Sequence, residues 1–303
     1  MLYFIPAWYL KDDWKEDEQI WYSRRMKTET DDTVKQIQLF HRNVICDHKI
    51  LLLSYAPNFR HFLHRQSAFR VPYWSVFDAI QEVRRKKQAM LSFHNLKWPK
   101  NIEFLYTPFS IIALLNRERY AKIEFGEYGN PIQIDLYRNG QISRKNIYDD
   151  RGFIASTILY EGGQPVCQDY LCENGTWKLR CYRKDGHVEI NRKCPEYLLE
   201  YGGKWHTRRF FRRSYDSIGQ VVYEVLASYL ELTDAEDIFC VAMHGLHVHL
   251  LGRNLRGRKK ILSFFQDRYQ VGSDSVVLEM IRQADYVVAD SREAAQIIQG
   301  QAP

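Results

Sequence analysis

The sequence predicts an α/β protein in which one Rossmann-like layer of about six parallel strands is split by an inserted antiparallel β-meander. Three observations carry this. Strand and helix patterns alternate from residue 1 to about residue 120 and resume near Asp216. Between Tyr120 and about Arg192 the helical spacing vanishes, and apolar residues alternate instead, as at Ile132, Ile134 and Leu136. That middle block is punctuated by Gly129-Asn130-Pro131, Asn139-Gly140, Gly162-Gly163, Asn174-Gly175 and Asp185-Gly186. Asn-Gly and Asp-Gly are strong hairpin signals because a type I′ turn needs two residues at positive φ.

Each element follows from its own residues. Leu2 to Trp8 reads as a buried strand. Asp31 to Val44 reads as a helix: Thr30 can cap it, Asp31 and Asp32 suit its positive end, and Val34, Ile37, Phe40 and Val44 share a face. Ile50 to Tyr55 is a nearly continuous apolar run, expected of a parallel strand covered on both faces. Ser75 and Asp78 form a capping-box-like pair before Val76, Ile80 and Val83. Ile102 to Tyr106 is expected as a third strand, stopped by Pro108, and Phe109 to Asn116 as a short helix. After the meander, Ile218, Val221, Val222, Val225, Leu226 and Tyr229 mark an amphipathic helix. Ile238–Met243, Ile261–Phe265 and Tyr286–Ala289 read as strands, and Val276–Ile281 and Arg292–Gln299 as helices. The expected division is 1–118 and 196–303 for the two parts of the Rossmann-like domain, with 119–195 as the insert.

Composition sets bounds. The chain has 303 residues, 45% hydrophobic and 26% charged, with 7 Trp, 20 Tyr and 16 Phe. This excludes a disordered tail, a collagen-like chain and a small disulfide scaffold. A net charge of +6 permits an anionic partner without demanding one. The start carries no basic leader region, and Pro6 interrupts its apolar run. No window reaches the ~18 apolar residues of a membrane span. The six cysteines contain no CxxC pair, so a cytosolic, reduced protein is expected.

Candidate sites are few. Neither a G-x-G-x-x-G nor a GxxxxGK[ST] loop occurs, so the phosphate-cradling turn of a nucleotide site is not encoded here. His244 follows a buried strand, where α/β sheets meet ligands, and is a candidate ligand-facing residue together with Asp267 and Asp290. If that stretch were extended, His247 and His249 would point to one side, like zinc ligands. No Cys or Glu stands at ligand spacing, and the irregularly spaced Cys167, Cys172, Cys181 and Cys194 read as small apolar residues. No metal or cofactor is expected. Arg208-Arg209-Phe210-Phe211-Arg212-Arg213 interleaves arginine with aromatics. It fits a protein or anionic membrane contact, or a solvated loop anchored by its two phenylalanines. Nucleic-acid binding is the less favoured use of such a pattern. Ser54 and Ser291 lack nucleophile-elbow glycines, and no carboxylate has a general-acid partner of known geometry.

Several strings carry a family likeness. Phe4-Ile-Pro-Ala-Trp-Tyr9, Gln19-Ile-Trp-Tyr22, Asp31-Asp-Thr-Val34, Phe59-Arg-His-Phe-Leu-His-Arg-Gln66, Tyr73-Trp-Ser-Val-Phe-Asp-Ala-Ile-Gln81 and Tyr148-Asp-Asp-Arg-Gly-Phe153 occur in this order. Together they resemble the glycosyltransferase-like component of the bacterial accessory Sec system, over essentially the whole chain. The resemblance implies a GT-B-type architecture of two Rossmann halves with an extended β-sheet domain inserted in the first. Ala284-Asp-Tyr-Val-Val-Ala-Asp-Ser291 is similar to the strand that ends that first half, and the second half is not among these residues. It also implies a non-catalytic role in exporting serine-rich-repeat glycoprotein adhesins in Gram-positive bacteria. The implied partners are two sister accessory secretory proteins, the accessory SecA motor ATPase and the glycosylated preprotein. Carbohydrate binding and a peripheral contact with the inner membrane face are further implications, in a cytoplasmic setting without nucleic acid. The alternative is an active GT-B glycosyltransferase, or its acceptor-binding half, adding GlcNAc- or glucose-type sugars.

Overall fold

The computed structural model describes residues 1–9, 14, 32–126, 128–264 and 275–301. Six parallel strands form the first sheet: β1 (Leu2–Ile5), β2 (His48–Leu52), β3 (Tyr73–Ser75), β16 (Ile238–Ala242), β17 (Lys259–Phe264) and β18 (Tyr286–Ala289). Their order is β18-β17-β16-β1-β2-β3, so the winding reverses at β1. Alternate residues of β1 feed opposite faces. Tyr3 and Ile5 join a core with α4 (Ile218–Leu230), while Leu2 and Phe4 join one with α1 (Asp32–Asn43) and α2 (Phe59–Arg65). Helices α5 (Ser275–Gln283) and α6 (Arg292–Gln301) stand where the sequence pattern put them. The cap expected of Thr30 and Asp31 lies outside the described residues. Ser75 does cap α3 (Val76–Ile80), its hydroxyl accepting the Asp78 N–H at 3.2 Å.

The second sheet is antiparallel. Its strands are β4 (Ile102–Tyr106), β5 (Ile111–Leu115), β6 (Glu118–Phe125), β7 (Pro131–Arg138), β8 (Gln141–Asp149), β9 (Phe153–Glu161), β10 (Gln164–Leu171), β11 (Trp177–Tyr182), β12 (Val188–Ile190) and β15 (Ser214–Tyr215). Each strand from β4 to β12 pairs with its sequence neighbour. The chain then leaves to form a separate hairpin, β13 (Glu196–Tyr201) with β14 (Lys204–Arg209), and β15 returns to pair with β12. Asn139 and Gly140 have φ of 51° and 74°, the two positive values that a tight hairpin turn requires.

Two expectations are corrected here. Ile102–Tyr106 is a strand, but it is the edge of the antiparallel sheet; the third strand beside β1 and β2 is the short Tyr73–Ser75. Phe109–Asn116 is not a helix. Ile111–Leu115 pairs in full register with Ile102–Tyr106, and Asn116 and Arg117, at φ 52° and 66°, turn it back into β6. The β-branched Ile111 and Ile112 favour that outcome. Antiparallel pairing therefore runs from Ile102 to Tyr215, past residues 119–195 at both ends.

A buried ion network fastens the two sheets. Arg60 of α2 donates to Asp150 from Nε and to Asp149 from Nη2 at 3.1 Å. Arg151 holds Asp78 of α3 with two bonds of 2.7 and 2.8 Å and Asp149 with two of 2.7 Å. Gly152 follows at φ +83°, and a Cβ there would sit 3.1 Å from Ala89 Cβ, so glycine fits both the backbone and the space. The Tyr148–Phe153 string is thus a joint between layers, with its charges already paired inside the fold.

Candidate functional site

Parallel sheets take ligands outside the carboxyl ends of strands where the winding reverses. Here that point lies between the segments leaving β1 and β16. Pro6 to Tyr9 leaves β1, and Met243 to His249 leaves β16. His244 is half-buried, and its Nδ1 accepts the Leu246 N–H at 3.2 Å, capping a 3-10 turn at Gly245–His247. That turn carries His247 inward, where it is fully buried. Its Nδ1 donates to the Ala242 carbonyl at 2.6 Å, since a carbonyl only accepts. Nε2 then accepts from the Tyr9 hydroxyl at 2.9 Å. Tyr9 in turn lies 5.0 Å from the His244 ring and 5.2 Å from Trp14. The crevice is filled by interlocked rings.

The electrostatics agree with that packing. Burial, aided by the His244 charge, lowers the His247 imidazole to about 3. At neutral pH it is uncharged with both nitrogens engaged, a poor starting point for proton transfer. Because residues 245–247 form a turn rather than a strand, His249 does not share a side with His247; it is exposed and lies 4.5 Å from Tyr223. Asp290 is exposed just after β18, with β17 standing between its strand and that of His244. Asp267 lies outside the described residues. The three predicted ligand-facing residues are therefore not shown converging. Ser291 has a structural task, its hydroxyl accepting the Ala294 N–H at 3.1 Å at the start of α6. Tyr9 and His247 are the residues that sequence reasoning missed as a pair; no local spacing signals a contact between positions 9 and 247.

The Arg208–Arg213 segment is a second candidate. Arg208 and Arg209 close β14, opposite Tyr197 and Glu196. Phe210 turns in, with its ring 4.8 Å from Tyr197. Phe211 turns out and is 83% exposed, so one of the two phenylalanines anchors the loop, not both. Glu224 of α4 fixes this arrangement, accepting the Phe211 N–H at 3.0 Å and the Tyr215 hydroxyl at 2.7 Å. The Arg212 N–H donates to the Tyr215 oxygen at 3.2 Å. Arg209, Arg212 and Arg213 are exposed around Phe211, and Arg208 is half-buried. Beside them a groove of about 1070 Å³ runs along α4, lined by Phe211, Arg212, Tyr223, Arg253, Arg256 and Arg258.

Comparison with known proteins places this architecture. The family of the accessory Sec system protein named accessory secretory protein 1 matches residues 1–303. The chain is 36% identical over 309 residues to that protein of Streptococcus gordonii, covering 100% of this chain and 56% of the relative. It is 28% identical over 291 residues to that of Staphylococcus aureus, covering 95% and 54%. The chain therefore spans a little over half the length of these relatives. Among solved structures, it superimposes on a chain of the accessory secretory protein 1, 2 and 3 structure from Streptococcus pneumoniae with a TM-score of 0.90 at 33% identity, covering 99% of this chain and 59% of that one. A chain of the Glycosylation Associate Protein complex from Streptococcus agalactiae gives 0.89 at 32%, covering 100% and 59%. The pneumococcal O-GlcNAc transferase GtfA gives 0.62 at 8%, covering 99% and 57%, a likeness of fold alone. The fold is the Rossmann-like N-terminal half of a GT-B-type structure with an antiparallel insert. The chain belongs to the accessory Sec system family of accessory secretory protein 1.

Proposed function

We propose that this protein is a non-catalytic assembly component of accessory secretion in the cytoplasm, binding its two sister accessory proteins and presenting glycosylated serine-rich-repeat preprotein to the accessory SecA motor. Family membership supports the pathway, and the similar solved structures, one of accessory secretory proteins 1, 2 and 3 and one of a Glycosylation Associate Protein complex, support assembly as the mode of action. The observation that carries the contact reading is Phe211, 83% exposed and flanked along the chain by the exposed Arg209, Arg212 and Arg213. An exposed aromatic held by a rigid backbone is the kind of residue that anchors an interface. The arginines suit an acidic partner surface or the anionic inner face of the membrane. The crevice around His247, filled by rings and with both imidazole nitrogens engaged, supports the non-catalytic reading. Glycan on the preprotein would be met at the sheet's carboxyl edge, outside the filled crevice, with the half-buried His244 and the exposed Asp290 as the facing residues.

The test is co-purification with the two sister proteins and membrane fractionation. Replacing Arg208, Arg209, Arg212 and Arg213 together with Glu should weaken at least one association by roughly tenfold or more, since like charges across an interface cost several kcal/mol. Unchanged recovery in both assays overturns the contact assignment. Release of nucleoside diphosphate from a sugar nucleotide in the presence of adhesin would overturn the non-catalytic reading.

A further inference from the structure

A second cavity, of about 330 Å³, lies at the other edge of the parallel sheet, away from the His247 crevice. Lys49 of β2 and Trp74 of β3 form its floor, and Arg85, Lys86, Glu200 and Trp205 rise around it. Two of those four come from the loop after α3 and two from the β13–β14 hairpin, so the cavity exists only where the hairpin folds back on the sheet. Its size falls within the ~300–1,000 Å³ of small-molecule sites.

The charges inside are unbalanced. Lys86 is paired with Glu200 at 2.9 Å. Arg85 meets Glu173, outside the cavity lining, at 3.5 Å. Asp78, also on the wall, is held by Arg151. Lys49 is different. Its ammonium donates to the Tyr229 hydroxyl at 3.2 Å, and among the described residues no carboxylate lies within ion-pair distance of it. An ammonium has three donors, so two remain unused beside an open space. Burial pulls the Lys49 pKa below that of a free lysine, although the Glu200 charge opposes this. A half-buried ammonium without a counter-ion is an unfavourable arrangement that a bound anion relieves. Trp205, with Arg84 and Lys86 within 6 Å of its ring centroid, supplies an apolar wall and draws further positive charge to the rim.

The geometry points to this cavity as a binding site for a small phosphate monoester, its phosphate on Lys49 and Arg85 and its carbon skeleton against Trp205. A phosphate supplies the counter-ion that Lys49 lacks, while Arg85, 3.5 Å from Glu173, turns part of its guanidinium to the same anion. The hydroxyls of a polyol or sugar skeleton can donate to Glu200. The site stands apart from the crevice and the Arg208–Arg213 segment, and its test is independent of assembly.

The experiment is isothermal titration of the purified protein with glucose 6-phosphate, with inorganic phosphate and glucose as comparison probes. Saturable one-to-one binding of glucose 6-phosphate is expected, with inorganic phosphate weaker and glucose silent. Lys49→Gln should weaken it more than tenfold, while Lys97→Gln leaves it unchanged. A readout on the unaltered protein guards against misfolding of the variant: glucose 6-phosphate should protect Lys49 from amine acetylation, followed by peptide mass spectrometry. Absence of saturable binding, equal affinity in a folded Lys49→Gln, or unprotected Lys49 at saturation overturns the proposal. Binding of inorganic phosphate with glucose 6-phosphate excluded overturns the monoester class.

Discussion

Asp150 and His247 sit on opposite sides of an acid–base argument that can be read out as stability. Burial raises Asp150 from 3.8 to about 6, despite the facing Arg60, with the neighbouring Asp149 adding to the rise. As pH falls from about 6 towards 3.8, the folded state takes up this proton before the unfolded chain does, so Asp150 adds stability in that window. His247 acts in the reverse sense. Its unfolded form protonates near 6.5, while the folded form resists down to about 3, so acid removes stability throughout that range. Asp78, lowered by Arg151 against the opposing effect of burial, loses its contribution only as pH drops below 3.8. Between pH 6 and 4 the Asp150 and His247 effects therefore oppose each other. Asp150→Asn removes one of them, and the variant should lose stability on acidification more steeply than the parent. Urea midpoints at half-unit pH intervals measure this. Parallel pH profiles would show that Asp150 titrates in the ordinary carboxylate range.

Residues adjacent in sequence can belong to different jobs when an element ends between them. Phe210 packs under Tyr197 and Tyr215, while Phe211 faces outward. Phe210→Ala should cost about 3–5 kcal/mol of unfolding free energy. Phe211→Ala should stay within about 0.5 kcal/mol of the parent while reducing partner recovery. A thermal melt beside the co-purification assay separates the two. The sequence revealed this segment as a string of arginines and aromatics but held no signal for which ring turns in, because Glu224 of α4 decides that. The same limit explains the errors at element level. Amphipathic helices such as Ile218–Leu230 and the Asn-Gly hairpins were legible because their information is local. Ile111–Leu115 is a five-residue apolar run that serves helix and strand equally, and its turn is made by Asn116 and Arg117, with no glycine to signal positive φ. Tyr73–Ser75 is too short to show a period, and the sheet recruits it through Ile50 and Leu52. The site was harder still, since Tyr9 and His247 meet only through the closing of the parallel sheet.

At the scale of the whole molecule, the insert is built into the Rossmann-like layer, not hung from it. The largest core cluster contains Phe153, Tyr170, Leu179 and Ile190 of the antiparallel sheet together with Tyr55, Phe77, Val225 and Phe239. Polar contacts cross the same boundary. The Tyr55 hydroxyl donates to Ser156 at 2.8 Å, and the Gln81 amide bridges the Ala155 and Leu171 carbonyls at 2.7 and 2.5 Å. Lys178, fully buried on β11, reaches Glu82 just after α3. Arg151 is the most committed of these links, since its side chain is 3% exposed and spans Asp78 and Asp149. A boundary of this kind predicts one cooperative transition, with tryptophan fluorescence and far-ultraviolet dichroism tracing the same urea curve. Removing one partner of a buried ion network costs about 3–5 kcal/mol, because the others stay buried without compensation. Arg151→Ala should therefore move both curves together to lower urea by that amount. If the curves separate, the network rather than the shared apolar core couples the sheets. If they separate already in the parent, the sheets fold as independent units and the buried contacts between them carry little net energy. Coincidence in both proteins would mean that a partner docked on Arg208–Arg213 rests on the same cooperative body that holds the carboxyl edge of the parallel sheet.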